Sequence, residues 1–191
     1  MPIVLNGSGT ITGISAGGLP DGIIQAADLA SGVGGKTLQV VQATKTDGAS
    51  QSVGSGNYWQ PTDPKCSITP SNASNKILVQ ATVAVALSTN AHGMYLTVLK
   101  DGSPIFRGDQ DSSNMQRVTT GTYSHNDYNF GTLVFNYLDT AGGTSAIEYS
   151  LELRHDSGGT STIYINRTEA TDNSDDRKRG ATSIILTEIA A

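Results

Sequence analysis

Apolar and polar residues alternate along much of the chain after residue 36, which is the pattern of β-strands with one buried face. The clearest case is the run from Lys76 to Leu87, where the odd-numbered positions are mostly apolar. Asp101 and Gly102 stand between two further apolar runs, and an Asp-Gly pair in that position is typical of a β-hairpin. The pattern therefore predicts a protein made of strands.

The predicted strands are short and regularly spaced, with no helical pattern of about ten residues after position 36. They cover residues 38–44, 66–70, 76–87, 94–99, 103–107, 115–120, 129–139, 146–154, 162–166 and 181–189. Such spacing with Gly-rich turns predicts an all-β, antiparallel sandwich of about 8–10 strands. The residues from Ser50 to Trp59 are expected to form a long loop. Ile184, Ile185 and Leu186 make the last strand apolar on both faces, so it either lies centrally in a sheet or packs against another subunit.

Residues 1–36 have a different character, with nine glycines and no aromatic residue. Residues 23–30 lie between Pro20-Asp21 and Gly32, which predicts one short helix. A helix of about two turns is unstable alone in water. We therefore expect an extended N-terminal segment over residues 1–36, which is either a flexible tail or an attachment segment that orders against a partner. Residues 37–191 form the sandwich domain.

Composition excludes several functional classes. Hydrophobic residues make up 37 % and charged residues 15 %, against roughly 45–50 % and 25 % in an average soluble domain. No apolar window approaches the roughly 18 residues of a membrane span, so no membrane insertion is expected. The net charge of −5 argues against nucleic acid as a partner. Cys66 is the single cysteine, which excludes an internal disulfide and a multi-cysteine zinc site.

Several sequence stretches resemble short fibre proteins of tailed bacteriophages. The resemblance begins with the Gly-rich stretch 7–22 and the following residues 24–30, and it covers nearly the whole chain. Further on, it rests on residues 68–70, 75–79, 99–102, 165–167 and 183–189. It implies a C-terminal jelly roll similar to that of tumour necrosis factor, assembled as a homotrimer. It also implies that residues 1–36 anchor the protein to another virion protein, with the apolar anchoring positions being Ile11, Ile14, Leu19, Ile23, Ile24 and Leu29.

Aromatic residues on predicted loops are the best binding candidates, because flat apolar faces can stack on sugar rings while neighbouring polar groups form hydrogen bonds. The predicted receptor-binding residues are Tyr123, His125, Asn126, Asp127, Tyr128 and Trp59. For Trp59 an alternative is that it caps the core or fills a subunit interface.

Catalytic and metal-binding patterns are weak. Asp127 paired with Asp139, or Asp109 with Asp111, would be needed for a polysaccharide depolymerase, and solvated loop charges explain these residues more simply. The acidic stretches 108–111 and 172–176 lack the spacing of a calcium-binding EF-hand. We therefore expect no enzyme activity, no metal and no cofactor.

These observations predict a structural phage virion protein on the particle surface, at the tail or the head. It would be a trimeric fibre whose sandwich tip binds a host receptor, expected to be a bacterial surface glycan. The alternative is a head fibre or capsid decoration protein with a role in assembly or stability. A polysaccharide depolymerase ranks last.

Overall fold

The computed structural model describes residues 37–110, 116–124, 130–170 and 177–191, together with two short strands nearer the N-terminus. The chain divides into two compact units, Met1–Lys36 and Thr37–Ala191. In the first unit, β1 (Val4–Leu5) pairs antiparallel with β2 (Ile11–Thr12). The helix predicted over residues 23–30 lies outside the described residues.

The second unit consists of two antiparallel sheets, as the alternating pattern predicts. The six-stranded sheet contains β3 (Thr37–Lys45), β4 (Ala49–Val53), β6 (Lys76–Leu87), β10 (Gly131–Thr140), β12 (Ser161–Ile165) and β13 (Thr182–Ile189). The five-stranded sheet contains β5 (Cys66–Ile68), β7 (His92–Lys100), β8 (Ser103–Ile105), β9 (Thr120–Ser124) and β11 (Ile147–His155). No helix occurs in the described residues, so none there is long and apolar enough to cross a membrane.

Eight of these strands have the topology of a jelly roll. The order across one sheet is β3-β13-β6-β10, and the order across the other is β5-β11-β7-β9. Within this set the first strand pairs with the last, the second with the seventh, the third with the sixth and the fourth with the fifth. This is the arrangement of a long hairpin rolled into two layers. The predicted all-β, antiparallel sandwich is confirmed.

The core lies between the sheets and is built by the alternation seen in the sequence. Ile77, Val79, Val83 and Val85 of β6 are completely buried, and Leu87 is 1 % exposed. The predicted hairpin is also present: β7 and β8 are joined by Asp101 and Gly102, whose φ angles are +48° and +75°. Two positive φ angles in a two-residue turn suit the twist of the paired strands.

The last strand, β13, is central, since it lies between β3 and β6. Ile184 and Leu186 face the core and are buried, whereas Ile185 faces outward and is half-buried. The first of the two expectations for this apolar run is therefore correct. Ile185 belongs to an outer face described below.

Two local predictions were wrong. The segment expected to be a loop from Ser50 onward contains the edge strand β4, which pairs only with β12. An edge strand is held by backbone hydrogen bonds on one side, so its mostly small polar side chains show no apolar alternation. The strand expected at 115–120 is instead β9, beginning at Thr120 and containing Gly121. Glycine is depleted in strands, but at this position it makes room for a neighbouring side chain.

Candidate binding site

The loop expected to bind a receptor is only partly described. Tyr123 is on β9 rather than in a loop, opposite Gly93 of β7, and its side chain is half exposed. His125, Asn126, Asp127 and Tyr128 lie outside the described residues.

Trp59 lies against the core. Its backbone N–H donates to the Leu153 carbonyl, and its carbonyl accepts from the Leu153 N–H, each over 2.8 Å. This bridge extends the five-stranded sheet along β11, and the half-buried indole packs on the core cluster. The neighbouring Tyr58 is 57 % exposed.

The anchoring residues predicted in the N-terminal segment are not described at side-chain level. Ile11 begins β2. Ile14, Leu19, Ile23, Ile24 and Leu29 lie outside the described residues. The same holds for Asp111 and for the acidic stretch 172–176.

A groove opens on the outer face of the five-stranded sheet, next to the β7–β9 pair. Its volume is about 320 Å³, and Tyr95, Gln116, Val118 and Asp156 line it. This volume is at the lower end of the roughly 300–1,000 Å³ found for small-molecule sites. We name it the Tyr95 groove.

Two glycines determine where the Tyr95 ring lies. Inward-facing residues of β7 alternate with outward-facing ones, which places Gly93 and Tyr95 on the outer face. Gly121 of β9 is directly opposite Tyr95. A Cβ at Gly121 would come within 2.7 Å of the Tyr95 Cδ1 atom, and a Cβ at Gly93 would overlap the Tyr95 hydroxyl. The ring therefore lies against bare backbone, and only glycine at both positions permits this.

Asp156 holds the other end of the tyrosine. Its Oδ2 atom accepts a hydrogen bond from the Tyr95 hydroxyl over 2.8 Å. Its Oδ1 atom accepts from the Gly93 N–H over 2.8 Å and lies 3.1 Å from His92 Nδ1. These contacts connect the start of β7 to the segment that follows β11. Both ends of the Tyr95 side chain are thus fixed before any ligand arrives.

The hydrogen bonds keep the carboxylate charged. Partial burial acts to raise the pKa of Asp156, but the bonds from Tyr95, Gly93 and His92 outweigh it, so this pKa lies below its ordinary value. Burial, together with the hydrogen bond to Asp156 and its negative charge, raises the pKa of Tyr95 to about 12. At neutral pH the pair is therefore a phenol that donates to a carboxylate.

His92, Tyr95, Gln116 and Asp156 are not among the binding residues that the sequence predicts. One signal was available: Tyr95 is an aromatic residue in the outward phase of a strand, and Gly93 precedes it in the same phase. Nothing comparable marks Asp156, which precedes Ser157-Gly158-Gly159 and has the appearance of a turn residue.

The outer face of the six-stranded sheet has the opposite character. A row of adjacent strand positions there consists of Val40, Thr187, Leu78 and Leu138. Val40 is 59 % exposed and Leu138 is 51 % exposed. Further apolar side chains on this face are those of Leu38, Val134 and Ile185. A second groove of about 230 Å³ crosses it. We call this surface the apolar face.

The apolar face is almost uncharged. Among the described residues of β3, β13, β6 and β10, the outward positions carry one charged side chain, that of Lys76. Lys76 Nζ donates to the Thr140 hydroxyl over 2.7 Å. The remaining outward positions are Ser, Thr, Asn, Gln, Ala or aliphatic residues.

Comparison with known proteins adds little. No protein-family model and no curated protein matches the chain. Among solved structures, that of infectious bursal disease virus, Gt strain, is similar to this chain at 16 % identity and a TM-score of 0.44. The similarity covers 80 % of this chain and 38 % of the viral chain. The VP2 subviral particle of that virus matches the same shares at 13 % identity and a TM-score of 0.43. The chain thus spans less than two-fifths of these proteins, and no conclusion about this chain is drawn from them.

Proposed function

We propose that this chain is a structural protein of a virus particle, a homotrimeric phage fibre that binds a glycan on the host surface. Residues 1–36 anchor it to another virion protein, and the jelly roll forms the exposed tip. The observation that carries the proposal is the Tyr95 groove, where an aromatic ring and an ionised carboxylate are held rigidly on an outer sheet face. Rigid placement reduces the entropy lost when a ligand binds.

The jelly roll also suits this role because its sheet fixes Tyr95 on β7 and brings Asp156, in the segment after β11, within hydrogen-bond distance of it. The resemblance to phage fibre proteins supplies the biological context. Several weak sites on one particle give high avidity, so a shallow groove is sufficient for adsorption.

The apolar face supports the homotrimer. Each chain carries a net charge of −5, so copies repel one another unless they meet through neutral surfaces. The apolar face is neutral apart from Lys76, and covering its aliphatic side chains stabilises the assembly by about 25 cal/mol per Å² of apolar area. We therefore assign this face to contacts between copies.

Competition for adsorption tests the proposed function. Purified full-length chain, added to host cells before the phage, should block adsorption in proportion to its concentration. If saturating protein leaves adsorption unchanged, the receptor-binding role is wrong. Imaging of particles with labelled protein then decides whether the chain is a head fibre or decoration protein.

Light scattering tests the oligomer. The full-length chain should have three times the mass of one chain. The double variant Val40→Glu/Leu138→Glu should be monomeric and folded, because both side chains are half exposed within one chain. Ser103→Glu, on an exposed position of β8, is the matched control and should remain trimeric. A wild-type monomer, or a double variant that keeps its trimer, would contradict the assignment.

The absence of enzyme activity stays a prediction. Incubation of the trimer with host capsular polysaccharide should release no oligosaccharide. Release that disappears in Asp127→Ala would show that the chain is a depolymerase.

A further inference from the structure

We infer that the Tyr95 groove binds a neutral hexopyranose unit and discriminates against sugars that carry a carboxylate. This inference rests on the proposed function and specifies its ligand. The described residues that line the groove are Tyr95, Gln116, Val118 and Asp156, and none of these four was predicted from the sequence to bind.

Among the described residues, those at the polar end of the groove present acceptors. An ionised carboxylate has about four acceptor positions, and three at Asp156 are filled by Gly93, His92 and Tyr95. The remaining position lies on a side chain that is 41 % exposed. It is therefore available to a hydroxyl group of a ligand.

The Tyr95 hydroxyl adds a second acceptor. Its proton is committed to Asp156 because an ionised carboxylate cannot donate in return. The lone pairs of the phenol oxygen are left to accept. Two acceptors that lie 2.8 Å apart suit a ligand with hydroxyl donors on neighbouring carbons, which is a property of hexopyranoses.

The apolar end of the groove suits the other surface of such a sugar. Val118 and the Tyr95 ring line it. The ring is held at its hydroxyl by Asp156 and along its edge by the backbone of Gly121. A flat ring of this kind packs against the C–H face of a pyranose. Gln116 offers both an amide donor and an acceptor at the rim.

The carboxylate also determines what the groove rejects. A uronic acid would bring a negative charge toward Asp156 in a partly buried position, and it would place acceptors against acceptors. Like charges in contact cost several kcal/mol in binding. The net charge of −5 adds a weaker repulsion of the same sign.

Ligand-observed NMR titration of the full-length chain tests the inference. The probes are the methyl α-pyranosides of glucose, galactose, mannose and rhamnose, and the methyl glycosides of glucuronic and galacturonic acid. We expect saturation transfer to at least one neutral glycoside. The matching uronide should bind about tenfold more weakly or worse.

Variants locate the binding. Tyr95→Phe keeps the ring and removes the acceptor, so affinity should fall about fivefold, while Asp156→Ala should abolish the signal. Tyr58→Phe, on an exposed tyrosine in another segment, is the control and should bind like the wild type. Thermal unfolding of each variant confirms that it is folded.

The inference is overturned if no neutral glycoside binds, if a uronide binds as tightly as its neutral partner, or if both groove variants keep full affinity. Adsorption competition separates this failure from failure of the proposed function. If the chain blocks adsorption and binds none of the glycosides, the proposed virion role holds and the receptor is a different one. If the chain binds a glycoside without blocking adsorption, the inference about the groove holds and the proposed role is wrong.

Discussion

Glu188 and Asp156 are two carboxylates that accept several hydrogen bonds each, but Glu188 is buried and Asp156 is partly exposed. Glu188 lies at the end of β13 and is 1 % exposed. Its Oε1 atom accepts from the Ser71 N–H over 2.7 Å, from the Ser71 hydroxyl over 2.8 Å and from Asn75 Nδ2 over 2.6 Å. Its Oε2 atom accepts from Gln39 Nε2 over 2.6 Å. It thus accepts four hydrogen bonds, all from groups of the protein.

Asp156 has three donors, and its side chain remains 41 % exposed. The comparison shows what separates a stabilising carboxylate from one that can bind. A saturated, enclosed carboxylate holds strands and loops together and has nothing left for a ligand. An oriented carboxylate with spare capacity at a groove is ready to accept one.

The largest expected effect is on Glu188. Glu188→Ala leaves donors of Ser71, Asn75 and Gln39 without a partner, so we expect the free energy of unfolding to fall by about 3 kcal/mol. Urea unfolding followed by the fluorescence of Trp59 measures this. Glu188→Gln keeps the shape and one oxygen, and it should lose less than half as much. Equal losses in the two variants would show that the shape and the oxygen kept by glutamine contribute nothing, and that only the charged carboxylate matters at this position.

The contribution of Glu188 to stability should depend on pH. Burial acts to raise the pKa of Glu188, but the hydrogen bonds from Gln39, Asn75 and Ser71 outweigh it and lower this pKa from 4.5 to about 2. The folded state therefore favours the charged form, and its contribution to stability is complete above pH 4.5. It is lost as the pH falls toward 2.

The stability difference between wild type and Glu188→Gln should accordingly narrow between pH 4.5 and 2. Urea unfolding at intervals of half a pH unit gives this difference directly. A difference that stays constant across the window would mean that folding does not lower the pKa of Glu188.

Substitution of Gly121, whose backbone lies against the Tyr95 ring, should have an intermediate effect on the free energy of unfolding. Gly121→Ala would place a Cβ within 2.7 Å of the Tyr95 ring and 3.3 Å of the Met94 carbonyl oxygen. We expect a loss of about 2 kcal/mol from overpacking, together with weaker glycoside binding. Gly143→Ala meets no heavy atom within 4 Å and should stay within about 0.5 kcal/mol of wild type. If Gly121→Ala unfolds like Gly143→Ala, the Tyr95 ring is not held against the backbone.

The smallest stability effect is expected at Asp156. Asp156→Asn exchanges a partly exposed carboxylate for an amide of the same size, so the free energy of unfolding should fall by about 1 kcal/mol or less. Urea unfolding of Asp156→Asn and Glu188→Ala under the same conditions measures the difference between their losses in free energy of unfolding. A loss as large as that of Glu188→Ala would make Asp156 a structural residue and remove the distinction drawn above.

Local features of the fold could be predicted because they depend on neighbouring residues. The alternation in β6 identified its buried face, and Asp101-Gly102 identified the hairpin. The β4 strand was missed because an edge strand needs no apolar face. The predicted position of β9 was wrong because β9 contains Gly121, and the space that this glycine leaves is filled by Tyr95, a residue of another strand.

The candidate site was largely beyond sequence reasoning. Tyr95 and Asp156 are 61 positions apart, and their hydrogen bond exists only because β7 and β11 are neighbours in one sheet. Tyr123 was identified as an aromatic binding candidate, but its place on a strand was not.

The sequence by itself determined that residues 37–191 form an antiparallel all-β sandwich, which side of its main strands faces the core, and where one tight turn lies. These properties follow from a repeat of two residues along the strand. Only the tertiary structure decided which strands are neighbours. It therefore decided that Tyr95 lies against two glycines beside Asp156, and that β13 contributes to an apolar face whose one charged side chain is that of Lys76. The physical reason is that alternation assigns a side chain to a face but does not say which strand is paired beside it.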